Sequence, residues 1–573
     1  MKSFAYKNRY WIYVIITIPA IVMLFWKCKW GYATLDEAFY PTIAYRFLQG
    51  DRMLFDEWSN TQLSSLVIMP FLKAFMAING GTVGIYLCVR YTYTVMKIFI
   101  SIYVFLVIRK KYDDIKAFFS AFLFLVFAGY GLMVLSYNSI AISGFLLFVL
   151  LVFDSDDSAS GWVKRILSGI CLSISVFGIP YMAALYILYF LAVIVVYKLK
   201  ERESNLTIIR FYSINSFIGT TIGVGVSVIA FCIYTFRRVS IAQIIQTIPH
   251  ILYGDPSHAP KSLYQKTLAY FVRIFFGNHR NYTVLIVYFV IAALILLFLL
   301  DKNRGNHRNN YIMSSMLAGG CLLIAYIVSD NYINDIIFVP SIVAFLVFIF
   351  ASNEETNELF ACIWLPGMAF TYFEYLASNT GFSGIASASC IATVGSIIMI
   401  LYTVDEMKEH TKLKIPVIIF CVLEIVCCIY YRATYVFWEE GGLGSLTRRI
   451  EDGVCAGLKV TDEEYEHYYS VMSDVKNIQD MPADTKVLYI GDKVLWMAGD
   501  QKCASYSPLC YSISKDRSIL YEYYKEHPDK VADVIYVEEE YGLDITEEIA
   551  ETLGYSYIKG EIGWIMKKDR IVP

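Results

Sequence analysis

The feature that most constrains this chain is a series of apolar runs that recurs through about three quarters of the sequence. Many of these runs have roughly 17 to 25 residues, enough for a helix to cross a hydrocarbon layer of about 30 Å. Only 17% of the 573 residues are charged, whereas soluble proteins carry about 25%. The sequence therefore predicts an α-helical multi-span membrane protein. Nucleic acid is not an expected partner, because no basic patch stands on a folded soluble face.

Apolar windows bounded by charged breaks predict about 13 membrane spans. They lie near residues 10–26, 83–108, 116–135, 139–153, 165–177, 181–197, 210–236, 282–300, 311–328, 333–350, 359–377, 384–402 and 415–432. The first run lacks a small-residue cleavage site and is followed by the bulky sequence KCKW. We therefore expect a retained anchor rather than a signal peptide.

The distribution of Lys and Arg in the short loops predicts a cytoplasmic N-terminus in a plasma membrane. Segments such as RKKYDDIK and KLKERESNLTIIR would lie inside. The turns SYN, GIPY, SDNYIND and ASNTGFSG contain neither Lys nor Arg and would lie outside. Outer basic residues are then confined to two long loops, 27–82 and 237–281. An odd number of spans places residues 433–573 outside as well.

The C-terminal residues differ in pattern from the rest. TKVLYIGD, VADVIYVEEE, YSYIKG and GWIMKK predict strands, and RSILYEYYKEH and ITEEIAETLG predict helices. The sequence thus predicts a membrane domain over 1–432 and a small extracytoplasmic α/β domain over 433–573. No glycine-rich phosphate loop follows a strand, so no nucleotide site is expected. Cys503 and Cys510 could form a disulfide in an oxidising compartment or remain thiols.

The first long loop carries an Asp-Glu pair at Asp36 and Glu37, within GYATLDEAFYPTIAYRFLQG. A capping box explains Glu37, with Thr34 as N-cap and Glu37 reaching back three residues later. That interpretation leaves Asp36 free in the first helical turn, where the amide dipoles favour an ionised carboxylate. The apolar stripe that follows, and the segment 63–78, predict two helices lying in the membrane interface.

A second acidic pair, Asp56 and Glu57, falls between these two predicted helices. Exposed acidic pairs are common on protein surfaces. A solvated turn and a functional role are therefore both open at this position.

The order of these features resembles the GT-C glycosyltransferase superfamily, which includes the protein O-mannosyltransferases and the bacterial aminoarabinose transferase. The resemblance rests on the anchor, the DEAFY pair opening an interfacial helix, the second interfacial helix and the long second span. SYNSIAISGFLLF, IPHILYGDPSHAPKSLYQK, ASNTGFSG and IEDGVCAGLKVTDEEYEHY also look like segments of uncharacterised bacterial members. The resemblance covers nearly the whole chain, and the acidic pair is its only catalytic motif.

The resemblance implies transfer of a sugar from a polyprenyl-phosphate donor to a glycan, lipid or protein acceptor on the outer face, with inversion. Asp36 would act as the base or orient the acceptor, with Glu37 as its neighbour. The departing phosphate needs positive charge from Arg, Lys or a divalent metal. Asp56 or Glu57 could complete a metal site with Asp36. Members of the superfamily differ in metal use, so the metal stays open.

Basic residues of the second long loop, together with one in the second span, are the candidates for binding the donor phosphate. They are Arg90, Arg237, Arg238, His258, Lys261, Lys266 and Arg273. Each of them could equally reach lipid phosphates by snorkelling. His258 is more typical of a turn than of a metal ligand, because no second His or Cys stands at ligand spacing.

The second span carries Arg90 and Lys97 on one helical face, together with Tyr93, Thr94 and Ser101. Charged side chains at this depth usually face the interior of a helix bundle. We expect Lys97 to form a structural ion pair, with Glu374 or Glu424 as its partner.

Two other functional classes are open from the sequence. In a transporter or flippase, Arg90, Lys97 and Glu374 would line a pathway through the membrane. Such proteins commonly show inverted repeats, and the sequence has no such internal symmetry. A non-catalytic scaffold whose tail binds a partner is the third class.

Overall fold

The computed structural model describes residues 2–32, 36–199, 205–253, 262–276, 308–329, 333–378, 381–406, 415–437, 441–508 and 516–568. The helices before the second long loop are α1 (Lys2–Lys27), α2 (Asp36–Leu48), α3 (Ser65–Asn79), α4 (Ile85–Ile108), α5 (Asp114–Val126), α6 (Tyr137–Phe153), α7 (Ala159–Gly178), α8 (Ala183–Leu199), α9 (Leu206–Phe211) and α10 (Ile214–Phe236). The following helices are α11 (Ile241–Tyr253), α12 (Leu263–Phe276), α13 (Arg308–Ser329), α14 (Val339–Ala351), α15 (Glu354–Leu359), α16 (Leu365–Ala377), α17 (Phe382–Ala388), α18 (Cys390–Glu406) and α19 (Ile415–Thr434). The C-terminal helices are α20 (Asp462–Gln479), α21 (Ser518–Glu526) and α22 (Leu543–Leu553).

Within the described ranges, eight helical segments are long and apolar enough to cross a membrane. They are Tyr10–Lys27, Gln62–Asn79, Ile85–Ile108, Ala159–Gly178, Pro180–Leu199, Leu206–Phe236, Glu354–Ala377 and Ile415–Thr434. A ninth is obtained if the pair α17 and α18, bent by 61°, counts as one span. The predicted class of multi-span helical membrane protein is thereby confirmed.

The predicted number of spans stays a prediction, because the segment near 282–300 lies outside the described residues. The stretch Gln62–Asn79 was predicted to lie in the interface, yet it has the length and composition of a span. One predicted span is wrong in extent: of residues 116–135, only those up to Val126 are α-helical. The chain then turns at Gly129, Tyr130 and Gly131, where Tyr130 has a φ of +56°. Irregular backbone at membrane depth is tolerated where protein surrounds it.

The face of α4 predicted from its spacing is confirmed. The five residues predicted for that face are all buried, namely Arg90, Tyr93, Thr94, Lys97 and Ser101. Elsewhere the bundle relies on close backbone contact: a Cβ placed on Gly169 of α7 would lie 2.0 Å from the Thr220 carbonyl oxygen of α10. Small residues of this kind let membrane helices approach each other closely.

The C-terminal residues form a mixed sheet that contains the strands predicted from the sequence. Its strands are β3 (Lys486–Ile490), β4 (Lys502–Cys503), β5 (Val534–Glu538), β6 (Tyr555–Lys559) and β7 (Gly563–Lys568), after a short antiparallel pair, β1 (Arg448–Arg449) and β2 (Lys459–Val460). The order is β4-β3-β5-β7-β6, in which β4, β3 and β5 are parallel and β5, β7 and β6 are antiparallel. Helix α20 was not predicted, although Thr461 and Glu464 form a capping box at its start.

The first long loop packs directly against the C-terminal residues. Backbone hydrogen bonds join Gly31 N to the Lys459 carbonyl oxygen (2.9 Å) and Gly84 N to that of Gly453 (2.9 Å). Further along, Trp58 N donates to the Tyr506 carbonyl oxygen at 2.8 Å. The loop and the C-terminal segment therefore lie on the same side of the helix bundle.

A buried carboxylate lies in this contact. Asp492 follows β3, and its side chain accepts a hydrogen bond from the Tyr32 hydroxyl of the first loop. The Asp492 amide donates to Glu538 Oε1 at 2.6 Å. Burial, and then the charge of Glu538, raise the pKa of Asp492 to about 7.

We expect the stability of the protein to fall as the pH rises from about 4 to about 7. In this window the folded protein keeps the Asp492 proton and the unfolded chain releases it, so the folded state binds more protons. Asp492→Asn should flatten this part of the curve, as measured by thermal unfolding in detergent. The matched variant Asp484→Asn, at an exposed turn, should keep the wild-type slope. An unchanged slope in Asp492→Asn would contradict the assignment.

Candidate active site

Helix α2 begins at Asp36, whose side chain lies outside the described residues. The next residue, Glu37, is buried, and both of its carboxylate oxygens accept hydrogen bonds. Glu37 Oε2 receives the Tyr86 hydroxyl at 2.9 Å and Arg90 Nε at 3.0 Å. Glu37 Oε1 receives the backbone N–H of Met133 at 3.0 Å. The start of α2 is thus fixed to α4 and to the irregular segment before α6.

Arg90 uses its guanidinium group entirely on protein atoms. Nε and Nη2 donate to Glu37, and Nη1 donates to the carbonyl oxygens of Cys28 (2.9 Å) and Trp30 (3.1 Å). This buried pair ties the chain after α1 to the start of α2. A contact of Arg90 with a donor phosphate stays a prediction. The capping box stays one too, because Thr34 lies outside the described residues.

The second acidic pair is not a solvated turn, because Asp56 and Glu57 are only 1% and 0% exposed. Arg52 Nη2 lies 2.9 Å from Asp56 Oδ1, and Arg46 Nη1 lies 2.6 Å from Glu57 Oε2. Burial opposes ionisation of Asp56, but hydrogen bonds from Arg52 and the charge of Lys530 lower its pKa. Burial raises the pKa of Glu57 to about 7, against the opposing charge of Arg46.

This network also reaches the C-terminal domain. Arg46 pairs with Asp51 and donates to the Tyr523 hydroxyl of α21 at 3.2 Å. Asp51 pairs in turn with Lys530, which follows α21. A metal bound by Asp56 or Glu57 would have to displace a guanidinium group. Buried carboxylates need such partners, so the network stabilises the contact between the loop and the domain.

We expect Arg46→Met to lower the stability of the protein by about 3–5 kcal/mol, because it leaves Glu57 buried without a cation. Thermal unfolding of the purified protein measures the loss. Arg449→Met is the matched control, since Arg449 is exposed, and should have little effect. Equal stability of the two variants would show that the network is not a major stabilising contact.

Two buried cations that the sequence did not single out lie at helix ends, Lys27 at the end of α1 and Arg432 near the end of α19. They are 2% and 4% exposed. In the part of the chain that the structure describes, Lys27 Nζ and Arg432 Nε have no hydrogen-bond partner. Arg432 Nη1 donates to the Gly131 carbonyl oxygen at 3.3 Å. The charges of Lys27, Arg90 and Arg432 act on one another.

Lys97 is a third buried cation, 7% exposed, with Nζ 3.6 Å from the centre of the Phe124 ring. Its charge also interacts with that of Arg432. The predicted ion pair with Glu374 or Glu424 does not form, since Lys97 has no carboxylate within 4.0 Å among the described residues. Lys97 and Glu374 instead line one small cavity of about 50 Å³.

Lys27, Lys97 and Arg432, which we call the cation cluster, therefore carry no paired carboxylate within the described ranges. Glu37 is the carboxylate that acts most strongly on Lys27 and Arg432, and it is already paired with Arg90. Buried charge without a partner is costly, and in membrane proteins it marks functional sites. The sequence did contain a feature that could have identified Lys27 and Arg432: both stand at the predicted outer ends of spans.

An apolar groove of about 430 Å³ runs between α1, α4 and α5. Its lining includes Tyr13, Ile18, Ile21, Ile102, Phe105 and Phe122. Lys27 lies six residues beyond Ile21, which is about 9 Å along a helix. On α4, Lys97 directly precedes Ile98, which also lines the groove. The groove thus runs along the helices towards the cation cluster.

Of the basic residues predicted in the second long loop, two lie at the end of α10. Arg237 and Arg238 are exposed there, and the Arg238 guanidinium lies 5.4 Å from the centre of the Tyr234 ring. His258 and Lys261 lie outside the described residues. The structure therefore does not bring Arg237 and Arg238 into the buried site.

The other two basic residues of this loop lie on α12, which packs against α16. Lys266 Nζ donates to the Leu376 carbonyl oxygen at 2.6 Å, and Arg273 lies over the Tyr375 ring at 5.7 Å. Both contacts lie within two residues of Glu374 in the sequence, and Glu374 lines the small cavity with Lys97. Helix α12 therefore covers the side of the bundle that carries this cavity.

No protein-family model matches the chain, and no curated protein matches it. Among solved structures, it is similar to the Archaeoglobus fulgidus oligosaccharyltransferase in the apo form, at 11% identity and a TM-score of 0.46, over 99% of this chain and 76% of that one. It is also similar to ArnT from Cupriavidus metallidurans in the apo state, at 12% identity and a TM-score of 0.42 over 98% of each chain. The ArnT structure bound to undecaprenyl phosphate gives 11% and 0.45 over 97% of each chain. These are GT-C enzymes, the superfamily named by the sequence resemblance. Likeness at these scores carries no argument about activity.

Proposed function

We propose that the protein is a membrane glycosyltransferase that moves a sugar from a polyprenyl-phosphate donor to an acceptor on the outer face, with inversion. The observation that carries the proposal is the cation cluster of Lys27, Lys97 and Arg432, buried beside the Glu37–Arg90 pair. Asp36 adjoins Glu37 in the chain and is the proposed base.

The cation cluster has the charge that a phosphate group requires. An anion placed between Lys27 and Arg432 would supply the hydrogen-bond partners that Lys27 Nζ and Arg432 Nε lack among the described residues. It would also offset the repulsion between buried cations. The apolar groove between α1, α4 and α5 has the chemistry to hold an isoprenoid tail. A phosphate carried on such a lipid could therefore occupy groove and cluster together.

In the proposed reaction, an acceptor hydroxyl attacks the anomeric carbon of the donor sugar while Asp36 accepts the hydroxyl proton. The bond from the anomeric carbon to the phosphate oxygen breaks, and its electron pair leaves with the polyprenyl phosphate. Lys27, Lys97 and Arg432 stabilise the charge that develops on this phosphate. Because phosphate is already a good leaving group, the reaction needs no strong general acid.

Glu37 and Arg90 have a positioning role in this proposal. Their buried pair holds the start of α2, and with it the Asp36 backbone, against the end of α1 that carries Lys27. His258, Lys261, Lys266 and Arg273 remain proposed contacts of the donor head group, whereas Arg237 and Arg238, which are exposed at the end of α10, are not assigned to it. Asp56 and Glu57 are assigned to the structural network, and the proposed reaction includes no metal-dependent step.

The orientation is part of the proposal. The hydrogen bonds of Gly31 and Gly84 to C-terminal residues support one common side for the first loop and residues 433–573. The bias of Lys and Arg towards the other loops favours the outer side for both. We also propose that the chain divides into a membrane domain over 1–432 and a second domain over 433–573.

A transporter is the weaker alternative. Transporter sites typically lie near the bilayer midplane, between repeats. Lys27 and Arg432 stand instead at the ends of α1 and α19, which is where a lipid head group would lie. Lys27 and Arg432 are thus better placed for a lipid phosphate than for a solute crossing the membrane, and Lys97 alone of the cluster lies in the middle of its helix.

We expect Asp36→Asn to reduce the turnover of a polyprenyl-phosphate sugar by about 10²–10⁴-fold, which is the usual contribution of a general base. The assay uses proteoliposomes and a panel of purified polyprenyl-phosphate sugars. Asp480→Asn is the matched control, because Asp480 is exposed. Wild-type turnover in a folded Asp36→Asn variant would rule out Asp36 as the base.

We expect Lys27→Met and Arg432→Met to weaken binding of undecaprenyl phosphate by about 10–100-fold, because each loses a charge-assisted hydrogen bond. Native mass spectrometry in nanodiscs measures the binding, and Lys73→Met, an exposed cation on α3, is the control. Binding of uncharged undecaprenol should not change. Thermal stability should be equal or higher, since an unpaired buried charge is removed. Lower stability with unchanged phosphate binding would show that these cations are structural.

A further inference from the structure

We infer that His250, Glu522 and Glu526 form a site for a divalent transition-metal ion that clamps α11 to the C-terminal domain. His250 lies on α11, within the second long loop, and the two glutamates lie on α21. The site is separate from Asp36 and the cation cluster, and the inference does not depend on the proposed transferase activity.

The three side chains converge on one point. One ligand atom from each of them lies within 4.8 Å of the other two. His250 Nε2 is 3.1 Å from Glu526 Oε1. Glu522 and Glu526 are four residues apart, so they project from the same face of α21. An ion at the centre would therefore contact one imidazole nitrogen and two carboxylate oxygens.

The imidazole is oriented before any ion binds. The His250 ring stacks on Trp58, with ring centres 4.0 Å apart and planes within 7°. Trp58 is itself 4% exposed, and its backbone N–H is held by the Tyr506 carbonyl oxygen. Preorganised ligands of this kind lower the entropy cost of binding a metal.

The ligand set selects the class of ion. One nitrogen and two carboxylate oxygens suit Zn²⁺, Co²⁺ or Mn²⁺. Ca²⁺ prefers six to eight oxygen ligands, and Mg²⁺ prefers octahedral oxygen ligands, so neither suits a nitrogen-containing set of three. Glu522 is exposed, which leaves room for water at the remaining coordination positions. Without an ion, the two carboxylates repel each other across one turn of α21.

Three parts of the chain meet at this point: the first loop through Trp58, the second loop through α11, and the C-terminal domain through α21. A bound ion would therefore fix α11 relative to both of the other segments. Because α11 precedes the basic part of the second loop, a metal ion bound to His250 would fix the position of the helix from which that part of the loop begins.

The test uses the full-length protein in nanodiscs, stripped with a chelator and titrated with Co²⁺, whose visible absorption reports coordination. We expect saturable binding that Zn²⁺ displaces and Mg²⁺ does not, together with a rise in melting temperature. Glu526→Gln and Glu522→Gln should each weaken Co²⁺ binding at least about 10-fold. Residues that only hydrogen-bond to a metal ligand already change metal affinity by about that factor, and a ligand should contribute no less.

The matched control is Glu551→Gln, the same change on an exposed face of α22, which should bind Co²⁺ like the wild type. His250→Ala should abolish Co²⁺ binding. If this variant fails to fold, the two glutamine variants still test the site, because both keep the stack of the His250 ring on Trp58. Absence of a saturable Co²⁺ signal in the wild type, or unchanged binding in both glutamine variants, would reduce the cluster to a His–Glu ion pair.

Discussion

The buried pair of Glu37 and Arg90 is the contact on which the candidate site depends. Arg90 holds the carbonyl oxygens of Cys28 and Trp30 with one nitrogen and Glu37 with the other two. Three separate segments are thereby joined: the chain after α1, the start of α2, and α4. A lysine could not replace this arginine, because a point charge cannot make the two-sided contact. The pair fixes the backbone of Asp36 beside the buried cations.

The cation cluster indicates what kind of ligand this arrangement would bind. Proteins bury charge at a cost and usually neutralise it with a partner, as the Arg46, Asp51 and Glu57 network does here. Lys27, Lys97 and Arg432 break that pattern within the described chain. Lys27 and Arg432 lie at helix ends near an apolar groove, and Lys97 lies deeper, in the middle of α4. This arrangement favours a ligand with a phosphate head and an isoprenoid tail, which is the donor class that the sequence resemblance implies.

Local sequence pattern predicted many of the helices and strands of this fold. It did not predict contacts between residues that are far apart in the chain. The spacing of Arg90 and Lys97 placed both on the buried face of α4, and short runs rich in β-branched and aromatic residues identified β3, β5, β6 and β7. For Asp56 and Glu57 the sequence left a solvated turn and a functional role both open, because their partners depend on how a loop folds back and on a domain far along the chain. Lys27 directly follows the first predicted span, and Arg432 ends the last one. Only the packing of α1 beside α19 brings them close enough for their charges to interact.

The most direct test of the central claim is a cryo-EM structure of the protein with bound undecaprenyl phosphate. The account predicts phosphate density within hydrogen-bonding distance of Lys27 and Arg432, with the tail in the groove between α1, α4 and α5. It also predicts that the Asp36 side chain faces the free side of the phosphate, where a sugar would be attached. Phosphate density remote from both cations, or an Asp36 side chain turned away from the lipid, would contradict it.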